Sequence, residues 1–544
     1  MAKKILLGNE AIVRASLESG VNFVSTYPGT PSSEIGNIFS QIARRHGVYF
    51  EFSTNEKTAL EAAIGASFSG LKCLVAMKSF GLNVCSDSLL PFCYTGSKGP
   101  AVIIVGDDPS CWSSAQSEQN SRAYSYLAHI PMLEPSDPQE CGEFTKLAFR
   151  ISEKFKIPVI LRTTTRVAHQ RMPVEIAPIA NRRSQIAKGE FVKNPHQFVT
   201  MPPRVLEMKK ELLEKIEKIR EFAEKSPANI IDGKVNSKKI GIITSAVSYL
   251  HVKESLAELG AELPILKLGF FYPLPEKKIK SFIKGLKRVL VAEELEPFLE
   301  KEIAGLAKEI NPDIHIFGKN LLSEIGELNS QKVSFALAKI LGKKYQIPKV
   351  SINLPTRYPR LCQGCPYWFI FSAIKKVAPE NTIYGGDIGC YMLAGFPPHN
   401  IQDYLFSMGS SIGIGHGIKK VTNQKVIALI GDSTFFHAGI PALINAVFNK
   451  SNPLIVVLDN RTTGMTGHQT NPGIGKTGMG EQTAEIKIEE IAGACGVRYV
   501  KVLDPTASLN DFHSAIKEFL DKDEVAVIVA RRMCALLAKK QGNQ

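Results

Sequence analysis

One stretch of the chain, residues 425–466, constrains the fold most strongly. Two apolar, β-branched runs at 426–430 and 454–458 are typical of buried parallel strands, and a helical pattern separates them. This strand–helix–strand unit predicts a doubly wound α/β sheet. Asp432 follows the first run and Asn460 follows the second, so both side chains fall at the carboxyl edge of the sheet, where such folds bind ligands.

The two oxygen-bearing side chains at this edge suit a small, hard cation. Mg²⁺ prefers a few protein oxygens together with water and phosphate oxygens. Asp432 and Asn460 therefore predict a magnesium–diphosphate site. The alternative is purely local, because Asp432 can cap the following helix and Asn460 can form a turn. The two residues alone leave both interpretations open.

Length and composition limit the classes of protein. The chain has 544 residues, enough for three or four domains, and 44% of them are hydrophobic. No apolar run approaches the roughly 20 residues of a membrane span, and the N-terminus is not a signal peptide, so we expect a cytoplasmic protein. The net charge of +14 is spread along the chain, which favours solvated helix faces over nucleic-acid binding. Ten cysteines in such a chain favour reduced, metal-bound or catalytic thiols over disulfides.

The pattern of strands and helices divides the chain into three α/β regions and a linker. Residues 1–170 and 236–345 each alternate strand and helix, and residues 346–544 contain the unit described above. The linker at 171–235 loses this periodicity, and we predict no regular element for 171–203. A charged amphipathic helix is predicted at 205–224. The apolar residues expected on one side of that helix are Leu206, Leu212, Leu213, Ile216 and Ile219.

Polar loops at strand ends supply further candidates. Thr30 lies in a Pro/Gly/Ser/Thr-rich loop and can donate to a carboxylate. Glu56 begins a helix, where a carboxyl can protonate a buried heterocycle, although the helix macrodipole alone explains an acid there. The polar loop at 113–122 either reads a substrate or is simply solvated, and its candidate residues are Ser113, Ser114, Gln116 and Arg122. The acidic run of Glu293, Glu294 and Glu296 is interpreted as a solvated strand end.

Several motifs in a fixed order resemble one family. They are Gly-Asn-Glu-Ala at 8–11, Tyr-Pro-Gly-Thr-Pro-Ser-Ser at 27–33, Asn-Glu-Lys at 55–57, Asp-Asp-Pro-Ser at 107–110, Gly-Asp-Ile-Gly-Cys at 386–390 and Met-Thr-Gly-His-Gln at 465–469. Together with the spacing of Asp432, Asn460 and Thr462, they resemble the alpha subunits of indolepyruvate:ferredoxin oxidoreductases. That family belongs to the thiamine-diphosphate 2-oxoacid:ferredoxin oxidoreductases. The resemblance runs through all 544 residues.

The resemblance implies an α/β fold with three doubly wound domains of the thiamine-diphosphate enzyme type. Residues 1–170 would bind the pyrimidine ring, 236–345 resemble the C-terminal domain of transketolase, and 346–544 would bind the diphosphate. By the same resemblance, the side chains of Asp432 and Asn460 and the carbonyl of Thr462 hold Mg²⁺. Glu56 hydrogen-bonds the aminopyrimidine ring, and Thr30 contacts the substrate carboxylate. The other residues expected at the coenzyme are Met408, Gly409, Gly431, Ser433, Met465 and Thr466.

The implied reaction is the oxidative decarboxylation of a 2-oxo acid, such as the aryl pyruvate indolepyruvate, with coenzyme A as co-substrate. Electrons would pass through one proximal 4Fe-4S cluster to ferredoxin. Gln116 lies where some relatives carry a substrate-binding arginine, which leaves open the residue that binds the carboxylate besides Thr30. The cysteines that match the cluster ligands are Cys362, Cys365, Cys390 and Cys534, for which structural zinc and four unrelated thiols are the alternatives.

The partners follow from the same resemblance. We expect a small gamma- or beta-type subunit, a ferredoxin or ferredoxin-like protein, and a homodimer of heterodimers, without nucleic acid or membrane. The family's alpha subunit usually continues into a ferredoxin-like domain, yet no Cys-x-x-Cys-x-x-Cys run occurs in this sequence. This departure motivates a second hypothesis, a non-oxidative thiamine-diphosphate-dependent 2-oxo acid decarboxylase. A third hypothesis is a cofactor-free structural or regulatory subunit.

Overall fold

Strands and helices alternate along the chain in this computed structural model, which describes residues 2–179, 185–233, 239–347, 354–355 and 357–542. The strands are β1 (Ala2–Leu7), β2 (Phe23–Thr26), β3 (Tyr49–Phe52), β4 (Cys73–Lys78), β5 (Ala101–Asp107), β6 (Met132–Leu133), β7 (Val159–Thr164), β8 (Arg171–Ile176), β9 (Ile230–Asp232), β10 (Ile240–Ser245), β11 (Ile265–Leu268), β12 (Phe270–Tyr272), β13 (Arg288–Ala292), β14 (His315–Phe317), β15 (Ile383–Gly385), β16 (Val426–Gly431), β17 (Leu454–Asp459), β18 (Tyr499–Leu503) and β19 (Ala526–Arg531). The helices are α1 (Gly8–Glu18), α2 (Ser33–Ile42), α3 (Glu56–Phe68), α4 (Ser79–Thr95), α5 (Ala123–Ala128), α6 (Pro138–Phe155), α7 (Thr165–His169), α8 (Pro195–Phe198), α9 (Arg204–Glu224), α10 (Ser248–Glu258), α11 (Glu276–Ile283), α12 (Phe298–Ile310), α13 (Ser330–Leu341), α14 (Tyr367–Val377), α15 (Ser410–Val421), α16 (Asp432–Thr434), α17 (Ile440–Phe448), α18 (Ile488–Ala494), α19 (Leu509–Leu520) and α20 (Ala535–Gly542). Among these described helices, none is both long and apolar enough to cross a membrane.

The chain forms two compact units, and the first contains the larger sheet. The first unit is Met1–Glu51 with Glu56–Ser351, and the second is Phe52–Asn55 with Ile352–Gln544. A seven-stranded sheet in the first unit has the strand order β12-β6-β7-β5-β4-β2-β3. Its strands β2, β4, β5, β7 and β6 pair in parallel, as expected for buried apolar runs connected by helices. The strands β2, β4 and β5 therefore end at one edge of the sheet, and the loops that follow them meet there.

A second sheet in the first unit has the order β14-β13-β10-β11-β9. Its parallel strands confirm the strand–helix pattern predicted for 236–345. The strand β12 leaves this region and pairs antiparallel with β6, so it forms the edge of the seven-stranded sheet. The regions 1–170 and 236–345 are thus joined by backbone pairing, which the sequence did not predict.

The linker contains regular elements that the sequence did not indicate. The strand β8 pairs antiparallel with β1, and α8 follows at Pro195–Phe198, which corrects the expectation of an irregular 171–203 segment. Later in the linker, β9 pairs antiparallel with β11. β8 has the sequence Arg-Met-Pro-Val-Glu-Ile and forms only a two-stranded sheet, so its apolar pattern is weak. The helix α9 confirms the amphipathic helix, but its expected face is partly wrong, because Leu206 is 73% exposed and Leu213 is 42% exposed. The buried residues of α9 are Met208, Leu212, Ile216, Ile219 and Ala223.

The second unit is built on a five-stranded parallel sheet with the order β15-β16-β17-β19-β18. Alternate residues of β16 enter different apolar clusters: Ile427 and Leu429 pack on one side, and Ala428 and Ile430 on the other. Both faces of the sheet are therefore covered, as in a doubly wound fold. The strands predicted at 426–430 and 454–458 and the helix between them are confirmed. The α/β fold class is confirmed as well.

A buried ion network connects the seven-stranded and five-stranded sheets of the first unit. Arg122 donates from Nε and Nη2 to Glu134 at 2.7 Å each, and from Nη1 to Glu293 at 2.9 Å. Its Nη2 also donates to Ser245 Oγ at 2.7 Å. Glu134 follows β6, whereas Ser245 ends β10 and Glu293 follows β13. One guanidinium therefore binds groups from both sheets.

Arg162 extends the network within the seven-stranded sheet. Its Nε donates to Asp107 at 2.7 Å, and its Nη1 donates to Glu134 at 2.8 Å. Although burial raises the pKa of Glu134, Arg122 and Arg162 outweigh burial and hold that pKa at about 2. The carboxylate of Glu134 is therefore ionised between two cations across the whole physiological range of pH.

This network corrects two sequence interpretations. Arg122 is only 1% exposed and binds two carboxylates, so it belongs to the interior and not to a substrate-contacting loop. Glu293 and Glu294 are also buried and do not form a solvated strand end, whereas Glu296 is exposed. Sequence pattern could not reveal the network, because Arg122 and Glu293 are 171 positions apart.

Replacement of Arg122 by methionine should strongly destabilise the first unit. The variant Arg122→Met leaves Glu134 and Glu293 buried without their shared cation, a change that typically costs about 3–5 kcal/mol. Denaturant unfolding followed by circular dichroism measures the loss. The matched control is Asp87→Asn, which removes the partner of Lys57 on the surface and should leave the unfolding midpoint unchanged. Equal stability of Arg122→Met and wild type would show that the network contributes nothing.

Glu294 should make stability depend on pH. Burial raises its pKa to about 7, although the N–H of Leu328 donates to it at 3.0 Å. The native state therefore holds a proton between about pH 4 and pH 7 that the unfolded chain has lost, so stability falls as pH rises through this range. Glu294→Gln keeps the acceptor oxygen and removes the charge. We expect it to stabilise the protein on the order of 2 kcal/mol at pH 8 and hardly at pH 4.

The pH series is measured by thermal unfolding of both proteins in matched buffers. Glu296→Gln, a change at the exposed neighbouring glutamate, is the control and should leave the pH profile as in wild type. A Glu294→Gln variant whose melting temperature follows the wild-type pH profile would contradict the assignment of this proton to Glu294.

Candidate functional site

The two side chains expected to bind a cation converge on one backbone N–H. The N–H of Thr462 donates to Asp432 Oδ2 at 3.1 Å and to Asn460 Oδ1 at 3.2 Å. Asp432 follows β16 and Asn460 follows β17, and the parallel register pairs Gly431 with Leu458 at the ends of these strands. All three hydrogen-bonded residues are buried. The oxygens are therefore brought together by the sheet itself.

The electrostatics of this site favour a bound cation. Burial raises the pKa of Asp432 to about 7, and the nearby carboxylate of Asp459 adds to the effect. Asn471 Nδ2 donates to Asp432 at 3.0 Å but carries no charge. A divalent ion would supply the missing countercharge, and carboxylate, amide and carbonyl oxygens are its preferred ligands. The donor set of Asp432, Asn460 and Thr462 therefore fits Mg²⁺.

Asp387, which the sequence reasoning did not single out, fixes the Gly/Ser turn before α15. Its Oδ1 accepts from the N–H of Gly409 at 3.0 Å, and its Oδ2 accepts from the N–H of Ser411 at 3.1 Å. Gly409 has a φ of 84°, and a Cβ there would lie 2.8 Å from Ala438. Asp387 lies in the Gly-Gly-Asp-Ile-Gly motif at 385–389, but the motif does not identify its partners.

The remaining residues expected at the coenzyme lie in the same unit. Gly431 ends β16, and a Cβ there would lie 2.8 Å from the ring of Tyr391, so the strand end has no room for a side chain. The hydroxyl of Thr463 donates to that of Ser433 at 3.0 Å, which links the loops after the two strands. The other expected residues, which lie in loops of this unit, are Met408, Met465 and Thr466.

The four cysteines expected to hold a cluster line one cavity, together with Asn460. The N–H of Cys534 donates to the carbonyl of Asn460 at 3.0 Å. Burial raises the pKa of Cys365 to about 11 and that of Cys390 to about 12, and the neighbouring cysteines contribute to both shifts. Cys365 and Cys390 are therefore neutral thiols unless a metal centre stabilises their thiolate forms. The cavity brings together Cys362, Cys365, Cys390 and Cys534.

The cysteine cavity contains thiols that could bind a metal centre, but these thiols are not arranged as a complete coordination shell. In the parts of the chain that the structure describes, no three His, Cys, Asp or Glu side chains are arranged to hold a metal ion. Four thiols are the usual ligands of an iron–sulfur cluster and are equally acceptable to zinc. The chemistry of the residues thus fits either centre, provided that the sulfurs move closer when it binds.

Glu56 and Thr30 belong to the first unit, whereas the metal ligands and the four cysteines belong to the second. Glu56 begins α3 and is buried. A Cβ on Gly81 of α4 would lie 2.6 Å from Glu56 Cγ, so glycine allows this carboxyl to pack closely on α4. Thr30 is half-buried in the loop after β2, and its carbonyl accepts from Lys78 Nζ at 2.8 Å.

The polar loop at 113–122 is anchored at its start. The N–H of Ser113 and the hydroxyl of Ser114 donate to Asp108 Oδ2 at 2.8 and 2.6 Å. Lys78 Nζ donates to the carbonyl of Ser113 at 2.9 Å. Gln116 is half-buried further along the loop. The serines therefore hold the loop in place, and their roles toward a substrate stay predictions.

Comparisons with known proteins place this arrangement in a family. Residues 14–227 match the family described as pyruvate flavodoxin/ferredoxin oxidoreductase, thiamine diP-binding. Residues 387–530 match the thiamine pyrophosphate enzyme, C-terminal TPP binding domain. The indolepyruvate oxidoreductase subunit IorA of Methanothermobacter marburgensis is 45% identical over 540 residues, which covers 98% of this chain and 87% of that relative. The chain belongs to the IorA family.

Further relatives support this placement. IorA of Thermococcus kodakarensis is 45% identical over 562 residues, covering 98% of this chain and 86% of the relative. The solved 2-oxoglutarate:ferredoxin oxidoreductase from Magnetococcus marinus, with 2-oxoglutarate, coenzyme A and succinyl-CoA bound, superposes with a TM-score of 0.50 at 15% identity. That likeness covers 62% of this chain and 65% of the other, and it supports the fold alone. The family resemblance seen in the motifs is confirmed, and the IorA-family chain is an oxidoreductase subunit of the thiamine-diphosphate type.

Proposed function

We propose that this IorA-family chain is the catalytic alpha subunit of an enzyme that oxidatively decarboxylates a 2-oxo acid to an acyl-coenzyme A. The substrate is an aryl pyruvate such as indolepyruvate, in line with the name of its relatives. The observation that carries the proposal is the buried convergence of Asp432 and Asn460 on the N–H of Thr462. It offers a cation site at the strand ends of a thiamine-diphosphate-type domain.

The residues of this chain act mainly by binding and orienting. Asp432, Asn460 and the carbonyl of Thr462 would hold Mg²⁺, which would supply positive charge for the diphosphate. Asp387 fixes the turn at Gly409 that receives the pyrimidine amine. Glu56 holds the proton at the aminopyrimidine ring. When bound, thiamine diphosphate supplies the nucleophilic carbon and the electron sink that decarboxylation requires.

The cysteine cavity is the proposed exit for electrons. Its four cysteines would hold one 4Fe-4S cluster, and Asn460, one of the proposed magnesium ligands, lines the same cavity. A ferredoxin or ferredoxin-like protein takes the electrons, and coenzyme A takes the acyl group. A small gamma- or beta-type subunit completes the enzyme, in a homodimer of heterodimers.

Asp432→Asn tests the metal site. The amide keeps the size of the carboxylate and its acceptor oxygen but removes the charge, so we expect at least about 100-fold weaker binding of thiamine diphosphate in the presence of Mg²⁺. Isothermal titration calorimetry measures the affinity, and chelation of Mg²⁺ should abolish binding by wild type. Asp521→Asn, at an exposed aspartate of the same unit, is the control and should bind as wild type does. Wild-type affinity in Asp432→Asn would reject the metal role.

Anaerobic reconstitution tests the electron path. Wild type should contain about four irons and four acid-labile sulfides per chain, since a cluster of this kind has that composition. Cys390→Ser should lose them, whereas Cys495→Ser should retain them because Cys495 does not line the cavity. Stoichiometric zinc without sulfide would establish the structural alternative, and absence of both metals would remove the proposed electron path.

The same preparation distinguishes the non-oxidative alternative, which is motivated by the lack of a Cys-x-x-Cys-x-x-Cys run. An oxidoreductase consumes indolepyruvate only with an electron acceptor and coenzyme A. A decarboxylase releases the aldehyde with neither. Aldehyde formation at the full rate without an acceptor would therefore overturn the oxidative reaction.

A further inference from the structure

Lys78 lies at the end of β4, between the loops that follow the two strands on either side of it. It is the last residue of β4, which pairs in parallel with β2 on one side and β5 on the other. Its Nζ donates to the carbonyl of Thr30, in the loop after β2, at 2.8 Å. The same Nζ donates to the carbonyl of Ser113, in the loop after β5, at 2.9 Å. The ammonium therefore sits between the Thr30 loop and the polar loop.

The positive charge of Lys78 is only partly compensated. Its side chain is 12% exposed, and an ammonium carries three N–H donors, of which neutral carbonyls take two. The carboxylate paired with it, Asp108, has its Oδ2 at 3.9 Å, beyond hydrogen-bond distance. Asp108 is already bound by Ser113 N–H at 2.8 Å, Ser114 Oγ at 2.6 Å and Thr165 Oγ1 at 2.6 Å. A buried cation in this state gains from an added anion.

Other cations around these loops are committed to carboxylates. Arg122 and Arg162 each bind two carboxylates in the buried network described above, and each is only 1% exposed, although Nη2 of Arg162 has no hydrogen-bond partner among the described residues. Arg166, which lies in α7 after β7, pairs with Glu327. Gln116, in the polar loop, is uncharged. Lys78, by contrast, is partly exposed and has no carboxylate within hydrogen-bond distance in the part of the chain that the structure describes.

We propose that the ammonium of Lys78 binds the carboxylate of the 2-oxo acid, beside Thr30. This inference rests on the proposed function and identifies the group that the uncharged Gln116 cannot supply. A lysine serves this purpose as a compact point charge, and its two bonds to loop carbonyls fix its position before the substrate arrives. Lys78 thereby links the two loops and selects a carboxylate-bearing substrate.

Substrate binding at Lys78 should be coupled to its protonation. Burial lowers the pKa of Lys78 to about 8, and the opposing effects of Asp108, Cys111 and Asp107 do not restore it. The ring of Phe80, 5.5 Å from Nζ, also faces the ammonium. A bound carboxylate favours the charged form, so the pKa rises on binding and a proton is taken up at about pH 8.5.

The experiment compares Lys78→Met and Lys78→Arg with wild type and with a matched lysine. Lys72 immediately precedes β4, donates to the carbonyl of Ser19 at 2.9 Å and lies 5.5 Å from the ring of Phe149. Lys72→Met therefore removes a similar cation from the opposite end of the same strand. The probes are indolepyruvate in turnover and indole-3-propionate, an aryl carboxylate that cannot be decarboxylated, in calorimetry.

Lys78→Met should raise KM for indolepyruvate and Kd for indole-3-propionate by about 10- to 100-fold. Its affinity for thiamine diphosphate should stay that of wild type. Lys78→Arg should recover most of the carboxylate affinity, and Lys72→Met should match wild type throughout. Calorimetry at about pH 8.5 in two buffers of different ionisation heat should show proton uptake in wild type and none in either Lys78 variant.

Unchanged KM and Kd in Lys78→Met would overturn the proposal. If Lys78 has only a structural role, the results differ. Lys78→Met then melts at a lower temperature and loses affinity for both thiamine diphosphate and the carboxylate probe. Wild type in that case takes up no proton when the probe binds. Failure of the proposed function is distinguishable, because wild type would then not bind thiamine diphosphate. Proton-coupled binding of indole-3-propionate in that case would still establish Lys78 as a carboxylate site.

Discussion

One backbone N–H holds the candidate site together, because it donates to a carboxylate oxygen and to an amide oxygen at once. Thr462 N–H binds Asp432 and Asn460 at once, and Thr462 and Asp432 are 30 positions apart in the chain. The contact exists because β16 and β17 are parallel neighbours that end side by side. The buried oxygens are therefore already in place for the proposed cation, whose binding would require little reorganisation. The proposed chemistry depends on this arrangement.

The elements that the sequence predicted well are those with a strong apolar period. The strands β16 and β17 and the helix α17 follow directly from their buried runs. The convergence of Asp432 and Asn460 also followed, because the ends of parallel strands share an edge. The face of α9 was less predictable, since Leu206 has the same apolar character as a core residue although it is exposed. The short strand β8 has no clear alternation of apolar and polar residues, because it contains Pro173 and pairs with β1 alone in its sheet.

The pairing of charged side chains that are far apart in the sequence could not be predicted. The sequence predicts a substrate-loop role for Arg122, yet Glu134 and Glu293 pair with its guanidinium in the interior. No sequence pattern distinguishes Lys78, whose carboxylate partner Asp108 lies 3.9 Å away, beyond hydrogen-bond distance. The two cases show a useful distinction. A buried cation with a full set of anionic partners stabilises the fold, whereas one bound mainly by neutral carbonyls is prepared for an anionic ligand.

The edge position of β12 has a consequence for the order in which the protein is made. The sheet that contains β2, β4 and β5 receives this strand from residues 270–272, about 100 positions after β8. Until the ribosome has released that segment, the short strand β6 presents an unpaired border, and Arg122 lacks Glu293. A nascent chain of intermediate length therefore exposes an unpaired strand edge at β6 and contains an incomplete buried ion network. Chaperone demand should peak during translation of the stretch between β8 and β13, and a gene split within that stretch should yield fragments that aggregate.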